Sequence, residues 1–451
     1  MQHLYESQYH PVKDKFSCSY VKGGSGFARC IKLNHMLHRL CRPPSIPLSF
    51  GLATVLPRRD KIGASSAKFD AFVEKQLHAL QLRSLQEYEG YHGSPHYYYE
   101  DYKMRQRTYF EAPPVGMPRH NCNCPPPLWK GKVVSMAMDP CDCKYLQEKI
   151  EEGNPIYVEL ILSEVKDYLH MLMTDPVGKD LIQRIFYART SITWQQMDFV
   201  VFLIISNDQK LIDVCMDNHG TWVMQVMLEN ITRPFMKVVV VYAMKRITAA
   251  LMKNFNGSHV IVQCVKLFPP ELQKIILDEV ARNCVDIATD KVGCSVIQKC
   301  FDYSGRTAIQ LLVFRIIIYS MLLAESPYGN YVVQYVIKME IPFANKLMIA
   351  GLRGNFVRLS MNKYSSNVVE DLLRYSNQSD VDVIVEEIIK SPHILNVLQD
   401  PYGNFVAQRA LEYTQGHLRG KLSRLIRSYS TELHSHPYGK NVLIMAMANI
   451  L

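Results

Sequence analysis

The sequence lacks the usual features of membrane and secreted proteins. Its longer apolar runs, such as residues 311–323, are too short to cross a bilayer and carry charge. The N-terminal residues 1–6 have neither a basic n-region nor an apolar h-region. The 12 cysteines form no dense framework, and several of them, including Cys215, Cys264 and Cys284, lie inside apolar stretches. We therefore predict an intracellular protein with reduced thiols, no disulfides and no membrane segment.

Motifs typical of enzymes are missing as well. The chain has no glycine-rich phosphate loop, nucleophile elbow or pair of carboxylates in a suitable context. Cys122 and Cys124, followed by Cys141 and Cys143 and preceded by His120, raise the alternative of a zinc site. Tetrahedral zinc sites more often use two cysteines separated by two to four residues, so this alternative is disfavoured. We predict a protein that is not an enzyme and that has no metal and no cofactor.

The net charge of +9 is unevenly distributed. Residues 1–130 hold 18 Lys and Arg against 10 Asp and Glu, which leaves 33 and 32 for residues 131–451. Charge alone therefore does not identify the second part as a nucleic-acid-binding domain. Residues 1–130 are rich in turn formers and poor in amphipathic periodicity, so we predict that this basic region is largely disordered. Arg105 and Arg107, interleaved with tyrosines, would also suit contact with RNA, but a solvated tail is favoured.

Residues 131–451 carry a repeat. Aligned on a position that is usually glycine, which we call the anchor, the units follow one another at intervals of 36 to 42 residues. The nine anchors are Asp142, Gly178, Gly220, Gly257, Gly293, Gly329, Ser365, Gly403 and Gly439. Three residues before each anchor stands an Asp, Asn, Ser or His. Short side-chain acceptors in this place are typical of a helix start or a tight turn.

Each anchor is predicted to open an amphipathic helix. After Gly329, the apolar residues within 332–337 have the spacing of a buried helix face. Asn330, Tyr331 and Gln334 then share the opposite face, where they can converge on one flat object.

The remainder of each unit, as in residues 308–324, is predicted to be a longer apolar helix. A helical unit of this length cannot bury its apolar face alone. The units should therefore stack into an all-α superhelix with a continuous core.

Three stretches resemble repeats of the Pumilio (PUF) family of RNA-binding proteins, namely residues 329–334, 366–370 and 400–408. The resemblance covers about residues 133–451, and the repeat at Gly220, with the long interval before it, is similar to plant members. The resemblance implies a right-handed superhelical α-solenoid of eight three-helix Pumilio repeats plus a C-terminal cap, which would occupy residues 131–451. RNA would lie on the concave surface, antiparallel to the chain, with one base for each repeat.

The resemblance also implies which residues contact the bases. The first, second and fifth residues after each anchor, here called the triplet, would be an edge reader, a stacker and a second edge reader. The four C-terminal triplets are Asn404, Phe405 and Gln408 for uracil, Ser366, Asn367 and Glu370 for guanine, Asn330, Tyr331 and Gln334 for uracil, and Cys294, Ser295 and Gln298 for adenine. In the RNA direction they read UGUA, the characteristic core of the family's targets.

The N-terminal triplets depart from this pattern. Ser258 and His259 are followed by Val262 in place of the second edge reader, so this repeat should stack a base and read it loosely. The others are Thr221, Trp222 and Gln225, an incomplete reader; Lys179, Asp180 and Gln183, with an acid in the stacking place; and Cys143, Lys144 and Gln147, which resemble an adenine reader. The last unit has Ile444 in the reader place, which suits a cap.

The chemistry of the side chains supports these assignments independently. The Glu370 carboxylate can accept hydrogens from the N1 and N2 edge that guanine offers, whereas Asn and Gln amides can supply the donor and acceptor that uracil needs. We therefore predict a cytoplasmic, monomeric protein that binds UGUA elements in the 3′ untranslated regions of mRNA. The family implies translational repression or mRNA decay, with protein co-repressors on the convex face. The alternative is a degenerate scaffold that binds proteins and has little RNA specificity.

Overall fold

The computed structural model describes residues 128–448. The region predicted to be disordered, residues 1–130, lies outside this range except for its last three residues, and so do His120, Cys122 and Cys124 of the zinc alternative. Within the described range every regular element is a helix.

The helices in chain order are α1 Val133–Ala137, α2 Pro140–Glu151, α3 Pro155–Val165, α4 Leu169–Thr174, α5 Gly178–Tyr187, α6 Trp194–Ile205, α7 Asp208–Met216, α8 Gly220–Asn230, α9 Pro234–Met252, α10 Phe255–Leu267, α11 Pro270–Arg282, α12 Cys284–Ala288, α13 Gly293–Asp302, α14 Gln310–Ile318, α15 Ser320–Ala324, α16 Gly329–Lys338, α17 Ala344–Leu352, α18 Phe356–Ser360, α19 Ser365–Tyr375, α20 Gln378–Lys390, α21 Ile394–Gln399, α22 Gly403–Tyr413, α23 Gly416–Ser428, α24 Ser430–His434 and α25 Gly439–Ala448.

The helices form two layers. The helices that contain the anchors, which we call anchor helices (α2, α5, α8, α10, α13, α16, α19, α22 and α25), each pack against the next one in the chain. The longer helices that follow them pack against one another in the same way from α6 to α23. A single cluster of buried apolar side chains runs between the layers from Val133 to Ala446. This continuous core is the arrangement expected of a solenoid.

The residue three positions before the anchor shapes the start of the anchor helix, as the sequence predicts. The Asp290 carboxylate accepts hydrogen bonds from the amides of Val292 and Gly293, both at 2.8 Å. These amides have no partner inside the helix, so the contact satisfies donors that would otherwise be lost. The same role is played by Asp139, Asp175, Asp217, Ser326, Asn362, Asp400 and, through its ring nitrogen, His436.

Two expectations about helix boundaries are wrong. The anchor opens its helix in seven units, but α2 begins at Pro140 and α10 begins at Phe255, each two residues before its anchor. In both units the residue three positions before the anchor, Asp139 or Asn254, is itself the N-cap. The helix α2 also has a proline at its first position, where proline is well tolerated. The predicted long helix over 308–324 is also interrupted.

The interruption lies at Tyr319, between α14 and α15. The helix α14 packs mainly against α11 and α17, whereas α15 packs mainly against the anchor helix α16. This short helix before the anchor helix gives most units three helices, which agrees with the three-helix repeat that the resemblance implies.

The seven cysteines of the described range are free thiols, six of them buried. Among residues 128–448, no helix is both long enough and apolar enough to cross a membrane.

Close packing between helix and turn requires glycine at most anchors. A Cβ atom at Gly220 would lie 2.2 Å from the carbonyl oxygen of Val214, and one at Gly293 would lie 2.2 Å from that of Ile287. Ser365 occupies the equivalent place in its own unit, where its hydroxyl donates to the Leu359 carbonyl at 2.8 Å. The same carbonyl therefore contacts the anchor in each of these units.

We predict that Gly220→Ala destabilises the protein by about 1–3 kcal/mol, because the methyl group overpacks a backbone contact. Gly420→Ala is the control, since Gly420 lies within α23 with no atom close to a built Cβ. That change should stabilise the protein by roughly 0.5–1 kcal/mol. The free energies of unfolding in urea measure both effects, and equal effects of the two substitutions would contradict the packing argument.

Candidate nucleic-acid interface

The triplets share one geometry along the anchor-helix layer. In seven of the eight triplets the first residue is buried, and in seven the second is exposed; the exceptions are the half-buried Lys179 and His259, and the fifth residue is half-buried in all eight. In the unit of Gly329, for example, Asn330 is 2% exposed and Tyr331 is 53% exposed. Of the three residues predicted to share this helix face, the first is therefore largely covered by protein. The side chain at this position is covered because it lies against the turn of its own unit or of the next one.

The two uracil-type triplets hold their amides in a fixed orientation. Asn330 Nδ2 donates to the carbonyl oxygens of Ser326 and Pro327, and its Oδ1 accepts from Gln334 Nε2 at 2.8 Å. In the unit of Gly403, Asn404 makes the equivalent bonds, and its Oδ1 accepts from Gln408 Nε2 at 3.0 Å. Because the buried Asn orients the half-buried Gln, the edge-reading amide is ordered without a ligand.

The guanine-type triplet is built around a half-buried acid. The Glu370 side chain is 21% exposed, and Arg409 Nε of the next anchor helix lies 3.6 Å from Glu370 Oε2. Burial raises the pKa of Glu370, while the Arg409 charge opposes that shift. Ser366 is buried beside it, and the exposed Asn367 donates weakly to the carbonyls of its own turn.

The adenine-type triplet is less organised. Cys294 is buried, and burial raises the pKa of its thiol, so the sulfur stays protonated. Gln298 Nε2 donates to the Cys294 carbonyl at 3.1 Å, and the exposed Ser295 hydroxyl donates to the carbonyl of Val292. Ser295 presents no ring on which a base could stack.

The unit of Gly257 has an aromatic pair in place of an edge reader. Val262 packs against the core, and Ser258 Oγ donates to the Phe255 carbonyl, so neither offers a free polar group. Phe255 is 70% exposed and meets the His259 ring edge to face at a centroid distance of 5.2 Å. Burial and then Lys299 lower the pKa of His259, so the ring is neutral at physiological pH.

Phe255 is a candidate contact that the sequence analysis missed. It reaches this face because α10 starts two residues early, which places Phe255 one helical turn from His259.

The three N-terminal triplets hold their polar groups within the protein. Thr221 Oγ1 donates to the Asn256 carbonyl, and Gln225 Nε2 to the Thr221 carbonyl, which leaves the exposed Trp222 as the available contact. In the first unit, Cys143 Sγ lies 3.6 Å from the Val177 carbonyl and 3.4 Å from Gln147 Nε2, beside an exposed Lys144.

In the second unit, Lys179 Nζ is 3.2 Å from Asp180 Oδ1, so the acid that takes the stacking place is paired within the unit. Gln183 is half-buried. In the last unit, Ile444 is strongly exposed at the fifth position and offers no edge-reading group.

Stacked helical units that present one exposed side chain beside oriented polar groups define an α-solenoid with a surface suited to unstacked bases. A sequence model described as the Pumilio-family RNA binding repeat matches seven segments of the chain. These segments are residues 132–166, 210–239, 249–281, 283–317, 321–339, 355–389 and 393–424. The chain belongs to the Pumilio (PUF) family of RNA-binding repeat proteins. The matched segments include neither Gly178 nor Gly439, so the count of eight repeats and the cap stay predictions.

Curated relatives give the same assignment. The chain is 35% identical over 314 residues to Pumilio homolog 12 of Arabidopsis thaliana, covering 70% of this chain and 52% of that protein. It is 37% identical over 313 residues to putative pumilio homolog 7, chloroplastic, also of Arabidopsis thaliana, covering 69% and 47%. The similarity to plant members is thus confirmed. The chain spans about half the length of these relatives.

Solved structures agree on the fold. The Puf4 RNA binding domain bound to the HO endonuclease RNA 3′ UTR recognition sequence aligns with a TM-score of 0.56 and 28% identity, covering 70% of this chain and 98% of that one. The RNA-binding domain of yeast Puf5p bound to AAT2 RNA aligns with a TM-score of 0.59 at 21% identity, covering 70% and 96%.

The raised pKa of Glu370 predicts a pH-dependent stability. Above this pKa the buried carboxylate costs folding free energy, and the cost disappears below the ordinary value of 4.5, where folded and unfolded states are both protonated. Glu370→Gln should therefore stabilise the protein at pH 7, by roughly 0.5–2 kcal/mol, and have no such effect below about pH 4. The free energy of unfolding measured across this range tests the prediction.

Glu386→Gln in α20 is the matched control. Lys390 lowers the pKa of this exposed glutamate, so the same change there should not stabilise the protein at neutral pH. A stabilisation of equal size in both variants would show that the effect is not due to the burial of Glu370.

Proposed function

We propose that this protein binds single-stranded RNA that contains UGUA and reads each of the four bases with one repeat. The observation that carries the proposal is the order of the four C-terminal triplets, which combine a guanine-type acid with two oriented uracil-type amide pairs. The similarity to the Puf4 RNA binding domain, which was solved with a 3′ UTR recognition sequence, supports the same class of ligand.

The geometry of the amides supports discrimination between bases. Gln334 and Gln408 are each oriented by a buried Asn, so a base that cannot match them leaves a half-buried polar group without a partner. Such mismatches cost free energy because the lost water contacts are not replaced. By analogy with duplex readout, an edge contact through two hydrogen bonds discriminates by about 1–3 kcal/mol.

The N-terminal triplets support weaker reading of the remaining bases. Trp222 and the pair Phe255–His259 offer aromatic surfaces, on which bases of any type can stack. Lys179 and Asp180 pair with each other and offer neither a ring nor a free cation. These repeats would therefore add affinity more than sequence preference.

The biological consequence is proposed from the family. The protein would bind 3′ untranslated regions of cytoplasmic mRNA and bring about repression or decay, with co-repressors on the face opposite the RNA. The alternative of a protein-binding scaffold makes a different prediction for RNA, because it requires no discrimination between bases.

The decisive experiment compares the full chain on a short UGUA-containing RNA and on the same RNA with its G replaced by A, at one fixed salt concentration. The substituted RNA should bind about 5- to 150-fold more weakly, which corresponds to 1–3 kcal/mol. Equal affinity for the two RNAs would favour the scaffold.

Conversion of the guanine-type triplet should move the preference at one base only. In the double variant Ser366→Asn with Glu370→Gln, UUUA should bind better than UGUA, while the other three positions keep their preferences. Glu386→Gln, which makes the same charge change in the other layer of the same unit, should leave the preference for UGUA unchanged. A uniform loss at all four positions would contradict the assignment of one base to one repeat.

Phe405→Ala tests the stacking position. Loss of the exposed ring should weaken binding by about 1–3 kcal/mol whichever base faces this repeat. Phe343→Ala is the control, since Phe343 is 65% exposed against 54% for Phe405 but lies in the turn before α17, outside the anchor helices. Titration of fluorescently labelled RNA measures both variants, and an equal effect of the two would contradict the assignment.

A further inference from the structure

At four of the eight junctions between neighbouring anchor helices, the same two positions form a polar contact. The ninth residue after one anchor lies against the sixth residue after the next anchor. Glu151 pairs with Arg184 at 2.5 Å, and Lys338 pairs with Asp371 at 2.8 Å. The other two contacts of this kind join Glu229 to Gln263 at 2.7 Å and Asp302 to the Tyr335 hydroxyl. At each of these junctions the two positions satisfy each other.

The junction beside the guanine-type triplet has no such contact between these two positions. The ninth residue after Ser365 is Arg374 and the sixth after Gly403 is Arg409, so two cations take these places, as Lys266 and Lys299 do at the junction between the units of Gly257 and Gly293. Like charges do not pair, and both side chains use other partners. Arg374 interacts with the side chains of Tyr375 and Tyr413, whereas Arg409 lies 3.6 Å from Glu370 and forms an ion pair with Glu412.

The charge state of Glu370 depends on Arg409. Its side chain is half-buried, its neighbour Asp371 is a second acid, and Lys338 is already committed to Asp371. Arg409 exerts the largest charge effect on Glu370, and it acts to favour the ionised form, with Arg374 contributing less. A guanine edge needs a carboxylate that accepts hydrogens, and the approaching RNA adds further negative charge.

We propose that Arg409, which also pairs with Glu412 of its own helix, is a positioning residue that holds Glu370 ionised and oriented for guanine, and that Arg374 allows this contact by offering Arg409 no second acid. The assignment rests on the guanine-reading role proposed above for Ser366 and Glu370. It makes base selection at one repeat depend on a residue of the next repeat. Arg409 is not expected to touch the base.

The sharpest test is Arg374→Glu, which places an acid at the ninth position. The new carboxylate should form an ion pair with Arg409, as Glu151 does with Arg184, and should draw Arg409 away from Glu370. The preference for UGUA over UAUA should fall roughly tenfold, or about 1.4 kcal/mol. Arg374→Gln is the matched control, because it removes the same cation without offering an acid, and it should keep the preference. Melting temperatures of the variants show whether each one is folded.

Substitution of Arg409 itself provides a second measurement. Arg409→Gln should lower the preference for guanine, and Arg409→Lys should restore much of it. As the pH is lowered from 8 to 5, the Arg409→Gln variant should lose its preference for guanine at a higher pH than the unsubstituted protein does. Without Arg409, the Glu370 carboxylate takes up a proton more readily. The other charged groups around Glu370, namely Asp371, Arg374 and the Lys338 that pairs with Asp371, are the same in both proteins.

The outcomes separate this proposal from the one it rests on. Failure of the unsubstituted protein to prefer UGUA over UAUA would contradict the proposed function itself. A normal preference that survives both Arg374→Glu and Arg409→Gln would overturn only the role of Arg409. Equal weakening of both RNAs by Arg409→Gln, with the salt dependence reduced by about one contact, would identify Arg409 as a phosphate ligand and would also overturn the proposal.

Discussion

The turn before each anchor is the contact on which the rest of the structure depends. A short side chain accepts the first free amides of the anchor helix, and at Gly220 and Gly293 the lack of a Cβ lets a backbone carbonyl approach closely. Together these contacts set where the helix starts and how it is rotated. Since every triplet is counted from the anchor that follows this turn, the turn also determines which residue is buried, exposed or half-buried.

The burial of the first triplet residue follows from this geometry and changes how the surface works. Asn330 and Asn404 donate their amide hydrogens to carbonyl oxygens of the turn. The side-chain oxygen of each accepts a hydrogen bond from the Gln one helical turn later. The half-buried amide that is proposed to meet a base is thus ordered by a buried neighbour. Such order lowers the entropy that binding must remove, and it makes a mismatched partner costly.

Local patterns made the repeat, the anchor turns and the buried helix faces predictable, because each depends on residues a few positions apart. The features that escaped prediction depend on the stacked neighbour. The break at Tyr319 separates a segment that packs mainly on the longer helices of neighbouring units from one that packs mainly on an anchor helix, and the exposure of Phe255 follows from an early helix start. The contact between Arg409 and Glu370 requires the register of two adjacent units, which no single repeat reveals.

The charges along the anchor helices show how stability and selectivity share one surface. Where the ninth residue after one anchor and the sixth after the next have opposite charges, as in Lys338 and Asp371, their ion pair joins the two units. Where both residues are cations, as in Arg374 and Arg409, one of them can approach an adjacent acid. At Glu370 this contact opposes the effect of burial, which disfavours the ionised carboxylate. A half-buried carboxylate lowers the free energy of unfolding at neutral pH, and such a cost is common at functional sites. If Glu370 reads guanine as proposed, base selection depends on the junction between two repeats as well as on the triplet of one.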